Sequence, residues 1–284
     1  MNQLIEFPLL RSGTGVSVGA ASGVKTPGPL PLNVPMILCI GRNYPEHAKE
    51  MTRAEGTGTA SGAAKPGAAE PGPTVFAKNL ASLCLHGDEI VVPKVCQDAT
   101  RGGPLQVDYE GELAVVIGFG PEGGAGGAGG RRCRDVSRED ALGFVLGYTC
   151  ANDVSARWWQ KQGSGGQFVR GKSFDTFCPI GPGLWSAASV GDPGSLRLVT
   201  RVNGEVRQES STGAMMYDVA TLVSELSKGM TLLPGTVILT GTPAGVGAAR
   251  TPAQFLKDGD VVEVELSRGS GETLGVLRNR VRFE

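Results

Sequence analysis

The chain is poor in the residues that build histidine- or thiolate-based metal sites. It has two His among 284 residues, and its six Cys are scattered with no CxxC pair. That excludes a zinc centre of the usual Cys/His type, and the cysteines read as reduced, buried thiols. An excess of one charge is also lacking: 27 basic residues stand against 28 acidic, for a net charge of −1. Such a balance provides no basic footprint for nucleic acid or an anionic membrane. No segment approaches the roughly 18 to 20 consecutive apolar residues of a membrane span. The first 23 residues carry one basic residue, Arg11, and lack both the basic start of a secretory signal and the Arg-rich pattern of a transit peptide. The expected compartment is the cytosol, with a mitochondrial location left open.

Glycine is abundant, at 44 residues. Much of it falls in two runs, 56–72 and 118–130, too short of apolar side chains to offset the entropy of ordering. Neither has the GxxxxGK[ST] form of a phosphate loop, so both read as mobile surface insertions. The organisation expected is an irregular N-terminal segment, 1–35, and one domain, 36–284, with insertions near 52–73 and 120–131.

Within that domain, the apolar run 36–40 predicts a buried strand, and Pro45 fits the first turn of a short helix through Glu-His-Ala-Lys-Glu-Met51. Further strands are expected at 74–78, 89–92, 113–117, 236–240, 261–266 and 273–277. Asn203-Gly204 joins two strand-like runs as a hairpin turn, since both residues tolerate positive φ. Ser137-Arg-Glu-Asp140 resembles a capping box opening a helix toward Phe144, and 218–228 predicts a helix closed by Gly229. Strands dominate, with short helices between them. The fold class is α+β.

The segment Val107-Asp-Tyr-Glu-Gly-Glu-Leu113 leads into an apolar strand. If it is extended, the period of two places Asp108, Glu110 and Glu112 on one face. Three crowded carboxylates call for a neutralising group, and a hard divalent cation is one answer. A solvated acidic edge is the other, and spacing does not decide between them. Asp153 is a second candidate ligand, although an isolated Asp is more commonly a helix cap or turn residue. His47 and Glu50, three apart on the expected helix, share a face and form either a water-activating pair or an incidental surface contact.

Five strings then occur in order: Ile40-Gly-Arg-Asn-Tyr44, Asp108-Tyr-Glu-Gly-Glu-Leu113, Asn152-Asp-Val-Ser-Ala-Arg157, Gly171-Lys-Ser-Phe-Asp175 and Thr240-Gly-Thr-Pro-Ala-Gly-Val246. Together they resemble the fumarylacetoacetate hydrolase superfamily, and the likeness extends over about 36–283. The resemblance implies a strand-rich mixed β-roll, usually a homodimer, with Mg²⁺ or Mn²⁺ held by Glu110, Glu112 and Asp153. It matches His47 and Glu50 to the water-activating pair of the acylpyruvase branch, on a segment that orders over substrate. Lys172 matches a lysine that polarises a substrate oxygen, while Arg42, Arg157, Gln160 and Thr242 match substrate-contacting positions. Asp108 has no role in the pattern. Trp158 stands where relatives commonly carry Asp, which predicts an altered pocket shape or polarity.

The activity implied is metal-dependent hydrolysis of a C–C bond in a small acylpyruvate-like oxo acid. Oxaloacetate decarboxylation, or isomerase or lyase chemistry on related oxo acids, is the alternative. A silent binding protein with the same fold is a third class, opposed by retention of the ligands, the pair and the lysine.

Overall fold

The computed structural model describes residues 4–6, 19–20, 33–55, 72–98, 105–121 and 131–284. Most of segment 1–35 and of both Gly-rich runs, with the insertions expected there, lies outside them.

Two sheets organise the described residues. The larger, of nine strands, runs through Cys178–Ser186, Val145–Asn152, Gly111–Ile117, Val237–Leu239, Ile37–Gly41 and Thr74–Lys78 in that order. Gly111–Ile117 lies mid-sheet, antiparallel to both its neighbours, and all seven of its residues are buried. This is the continuous apolar run expected of a strand covered on both faces. Leu113, Val115 and Ile117 pack into a core shared with Leu198, Val264 and Leu266 and with Leu222 and Val223 of the helix Val219–Ser227. Ala114 and Val116 pack on the opposite face with Ile37, Cys39, Ile180 and Leu239.

The second sheet has five strands, in the order Glu205–Ser211, Leu196–Val202, Val261–Arg268, Thr273–Phe283 and Glu89–Val92. Its Asn203-Gly204 turn has φ of 52° and 80°, as the hairpin signal requires. A two-strand piece, Val107–Asp108 against Ser155–Ala156, pairs Asp108 with Ser155. Gly111 pairs with Asn152, and the Asp153 N–H donates to Glu110 O at 2.8 Å. Those pairings bring the two acidic strings side by side. The architecture is strand-rich α+β, as expected. Among the described residues no helix is long and apolar enough to cross a membrane.

Two local expectations need correction, and one strand was not expected. The stretch after Ser137 forms a single 3-10 turn, Ala141–Phe144, rather than an α-helix. Half of the capping box is formed, with the Asp140 N–H donating to Ser137 Oγ at 3.3 Å, while the Asp140 carboxylate accepts from Arg131 Nη1 at 2.9 Å. The strand carrying Asp108 stops there and resumes at Gly111, so Asp108, Glu110 and Glu112 do not share one strand face. Finally, Cys178–Ser186 is a nine-residue strand that sequence pattern does not predict.

Candidate active site

Helix Pro45–Glu55 starts with Pro at its first turn and places His47 and Glu50 on one face. The His47 Nδ1–H donates to Glu50 Oε1 at 2.8 Å, and His47 is buried. Because Nδ1 holds the proton for Glu50, Nε2 of the neutral ring is left as acceptor. Glu50 also accepts from the Gly245 N–H, at 3.1 and 2.9 Å. The pair is thus fixed to the segment after Thr240.

Glu110, Glu112 and Asp153 offer ligand oxygens that all lie within 4.8 Å of one another, and all three residues are buried. The solvated-edge alternative is therefore wrong for this cluster. Lys172 Nζ donates to Glu110 Oε2 at 2.5 Å and to Asp153 Oδ2 at 2.6 Å. Lys78 Nζ donates to Asp153 Oδ1 at 2.5 Å. Arg157 Nη1 reaches Glu110 Oε1 at 2.6 Å. Glu112 receives the Gly241 N–H at 2.7 Å.

These neighbours set the charge states. Burial opposes ionisation of Glu110, but Lys172 and Arg157 outweigh it and hold that carboxyl well below the usual range. Glu112 is the reverse case. Burial, then the Asp153 and Glu110 carboxylates, push it well above the usual range. A buried carboxyl crowded by two others is the environment a bound cation relieves. The donor set, three clustered carboxylates without imidazole or thiolate, fits a hard divalent ion such as Mg²⁺ or Mn²⁺.

A cavity of about 590 Å³ reaches the cluster at Glu110, while Glu112 and Asp153 are not among its lining residues. Its lining includes Arg42, His47, Glu110, Arg157, Gln160, Lys172 and Thr242, so it gathers every residue assigned to catalysis or substrate contact except Glu50, which lies behind His47. Met51, Phe76 and Phe168 supply an apolar wall. Two expected contacts are narrower than the sequence implied. Arg157 spends Nε and Nη2 on Asp108 and Nη1 on Glu110 and Gln160. The Thr242 hydroxyl donates to Gly111 O and accepts from Gln208 Nε2. Trp158 is not among the lining residues. It packs edge-on against Trp159, with ring centroids 4.9 Å apart.

Sequence reasoning missed Lys78 and Gln208. Lys78 closes the strand Thr74–Lys78 as its one buried charge, and a lysine at the end of an otherwise apolar strand was the available signal. Gln208 is buried in the hairpin strand Glu205–Ser211, where it accepts from Gly111 N and braces Thr242. Nothing in its spacing marks it.

The family model described as "Fumarylacetoacetate (FAA) hydrolase C-terminal" matches residues 36–282. The chain is 40% identical over 245 residues to a human protein named "Oxaloacetate tautomerase FAHD2A, mitochondrial", covering 86% of this chain and 66% of that one. It is 41% identical over 260 residues to "Oxaloacetate tautomerase YisK" of Bacillus subtilis, covering 92% and 74%. The chain thus spans just under two thirds of the human relative's length. Among solved structures, that of a fumarylpyruvate hydrolase from Pseudomonas aeruginosa in complex with Mn²⁺ and pyruvate is similar, with a TM-score of 0.66 and 28% identity over 89% of this chain and 91% of that one. On the family model, these identities and the shared fold, the chain belongs to the fumarylacetoacetate hydrolase family.

Proposed function

We propose that this chain is a divalent-metal-dependent enzyme that interconverts the keto and enol forms of a small 2-oxo dicarboxylic acid of the oxaloacetate type. The observation that carries the reading is the position of His47. Its Nδ1 is committed to Glu50, its ring borders the cavity, and Glu110 and Lys172 line that same cavity. Enolisation needs one group that holds the oxo acid's oxygens and another that moves a proton between C3 and the 2-oxygen.

A Mg²⁺ or Mn²⁺ ion held by Glu110, Glu112 and Asp153 would supply Lewis acidity at the substrate's oxygens. His47 takes a proton from C3 through Nε2 and returns it to the 2-oxygen, and the enol-to-keto direction reverses these moves. No atom is gained or lost. Glu50 holds the imidazole in the tautomer that can accept, and balances its charge once it has done so. Lys172 brings positive charge beside the developing enolate. Arg42, Gln160 and Thr242 orient the substrate, with the one N–H that Arg157 retains at Nη2. Two relatives at 40–41% identity carry the tautomerase name, which favours this reading over hydrolysis.

Hydrolytic C–C cleavage of an acylpyruvate is the second reading. It would use the same His47 to activate water, and it draws its support from the hydrolase solved with Mn²⁺ and pyruvate.

The test follows the enol absorbance of oxaloacetate with and without Mn²⁺, alongside NMR of the products. The expected result is Mn²⁺-dependent acceleration of enol-to-keto conversion without pyruvate release. His47→Ala should lower that rate by about 10²–10⁴-fold, the usual contribution of a positioned acid–base group. Release of pyruvate from oxaloacetate as the accelerated step would replace tautomerisation with decarboxylation. Cleavage of an acylpyruvate without tautomerisation would establish the hydrolase instead.

A further inference from the structure

Asp108 is fully buried, carries a charge that the metal site does not use, and is saturated with donors. Its Oδ1 accepts from the Tyr109 N–H at 3.0 Å and the Gly247 N–H at 2.8 Å. Its Oδ2 accepts from Arg157 Nε at 2.9 Å, Arg157 Nη2 at 2.8 Å and the Ala248 N–H at 2.9 Å. A carboxylate has about four lone-pair sites, so five donors leave none for a cation or a substrate. The approach is close enough to restrict sequence. A Cβ on Gly247 would come within 2.6 Å of Asp108 Oδ1 and 2.0 Å of Gln254 O.

What Asp108 holds has two ends. Along one, the guanidinium it grips extends Nη1 to Glu110 Oε1, the oxygen opposite the one taken by Lys172. Along the other, it anchors Gly247 and Ala248, two and three residues past Gly245, whose N–H binds the Glu50 carboxylate. One buried carboxylate therefore touches the supports of a cation ligand and of the His47–Glu50 pair. Asp153 has a parallel support on its far oxygen, where Lys78 binds Oδ1. In both carboxylates a fixed cation holds the outer oxygen, and Lys172 binds the other, on the cluster side.

We propose that Asp108 is a positioning residue. Through Arg157 it fixes which oxygen Glu110 turns toward the cation, and through the 245–248 turn it sets the distance of Glu50 from the cluster. This rests on the assignment of Glu110, Glu112 and Asp153 as the cation site. Outer partners of metal ligands act by orienting them, and their loss weakens metal binding by about 10–100-fold.

The experiment is calorimetric titration of Mn²⁺ into the metal-free full chain. Wild-type protein binds and Glu110→Gln does not; absence of binding by wild type overturns the cation-site assignment itself. Given wild-type binding, Asp108→Asn weakens Mn²⁺ affinity about 10–100-fold. Arg157→Gln does the same, and the double variant is no weaker than either single one, because both act along one path. Wild-type affinity in Asp108→Asn, or additive losses in the double variant, overturns the proposal and leaves the cation site standing. Arg157→Lys keeps the charge and removes the fork, so it serves as a second probe if Asp108→Asn fails to fold. Unchanged Mn²⁺ affinity in Arg157→Lys likewise overturns the proposal.

Discussion

Lys78 Nζ lies 2.5 Å from Asp153 Oδ1, and neither side chain reaches solvent to more than 1%. Lys172 holds the other oxygen of the same carboxylate at 2.6 Å. Asp153 is therefore clamped between two ammonium groups, one at the end of the strand Thr74–Lys78 and one at the end of the short helix Phe168–Lys172.

Removing one partner from a buried pair leaves an uncompensated charge, at a cost of about 3–5 kcal/mol. Lys78→Met should lower the thermal stability of the metal-free protein, by less than that range because Lys172 still pairs with Asp153. Added Mn²⁺ should recover part of the loss, since an ion that binds only the folded state stabilises it. A wild-type melting temperature for the metal-free variant would show that Lys78 contributes nothing to holding Asp153.

Glu112 gives the opposite expectation. It is crowded by Asp153 and Glu110, so its ionised form is disfavoured in the metal-free fold. A carboxyl with a raised folded pKa reduces stability above its unfolded value, about 4.3 for Glu, and the penalty grows with pH until the folded value is reached. Glu112→Gln removes that penalty. The metal-free variant should be at least as stable as wild type at neutral pH, and its unfolding midpoint should lose the downward slope with rising pH. Mn²⁺ binding should disappear in the same variant. Calorimetric titration and thermal melts across pH 5 to 8 check the two halves separately.

The parts of this arrangement legible in sequence are those set by short-range pattern. The buried strand through Leu113, the Asn203-Gly204 turn and the His47–Glu50 face each follow from period or turn chemistry. The strand Cys178–Ser186 was hidden because Pro179 and Pro182 argue against a strand inside a sheet. It is accommodated by a register shift between Gly181 and Trp185, where the ladder to Val145–Asn152 is interrupted. Asp108 shows a different limit. Its proximity to Glu110 and Glu112 suggested a third ligand, but the break at Tyr109–Glu110 turns it toward Arg157, 49 residues away. Long-range pairing chose its partner, and no local pattern carries that information. The choice of Asp153 over other acids came from the ordered motifs, and the pairing of Gly111 with Asn152 supplies its physical reason.

Asp218 offers a test away from the site. It caps helix Val219–Ser227, its Oδ1 accepting from the Thr221 N–H at 2.8 Å, and it pairs with Arg138. Slight burial works to raise its pKa, but the Thr221 hydrogen bonds and Arg138 prevail and lower it. A depressed carboxyl pKa stabilises the fold above the unfolded value, about 3.9, and that contribution is lost as pH falls through the lower folded value. Asp218→Ala should cost about 0.5–2 kcal/mol at neutral pH, as N-cap removal does. The difference between variant and wild type in urea unfolding should shrink below pH 4. A constant difference down to pH 2 would exclude the charged cap as its source.

Gly111 separates Glu110 from Glu112, and the second sheet presses directly on it. A Cβ there would lie 1.9 Å from Thr200 Oγ1 and 3.3 Å from Val264 Cγ1. Gln208 Oε1 accepts its N–H at 3.0 Å, and its carbonyl accepts from the Thr242 hydroxyl at 2.9 Å. The glycine thus lets the two sheets approach at the point where the carboxylates diverge. Gly111→Ala must push Thr200 or the 110–112 backbone aside, and overpacking of this kind costs about 1–3 kcal/mol. Because both flanking residues are carboxylates of the cluster, Mn²⁺ affinity should fall along with stability. Thr200→Ala removes the atom at 1.9 Å, so adding it to Gly111→Ala should restore part of both losses. If stability is restored but Mn²⁺ affinity is not, the backbone has shifted irrespective of Thr200, and some other contact sets the spacing of the two glutamates.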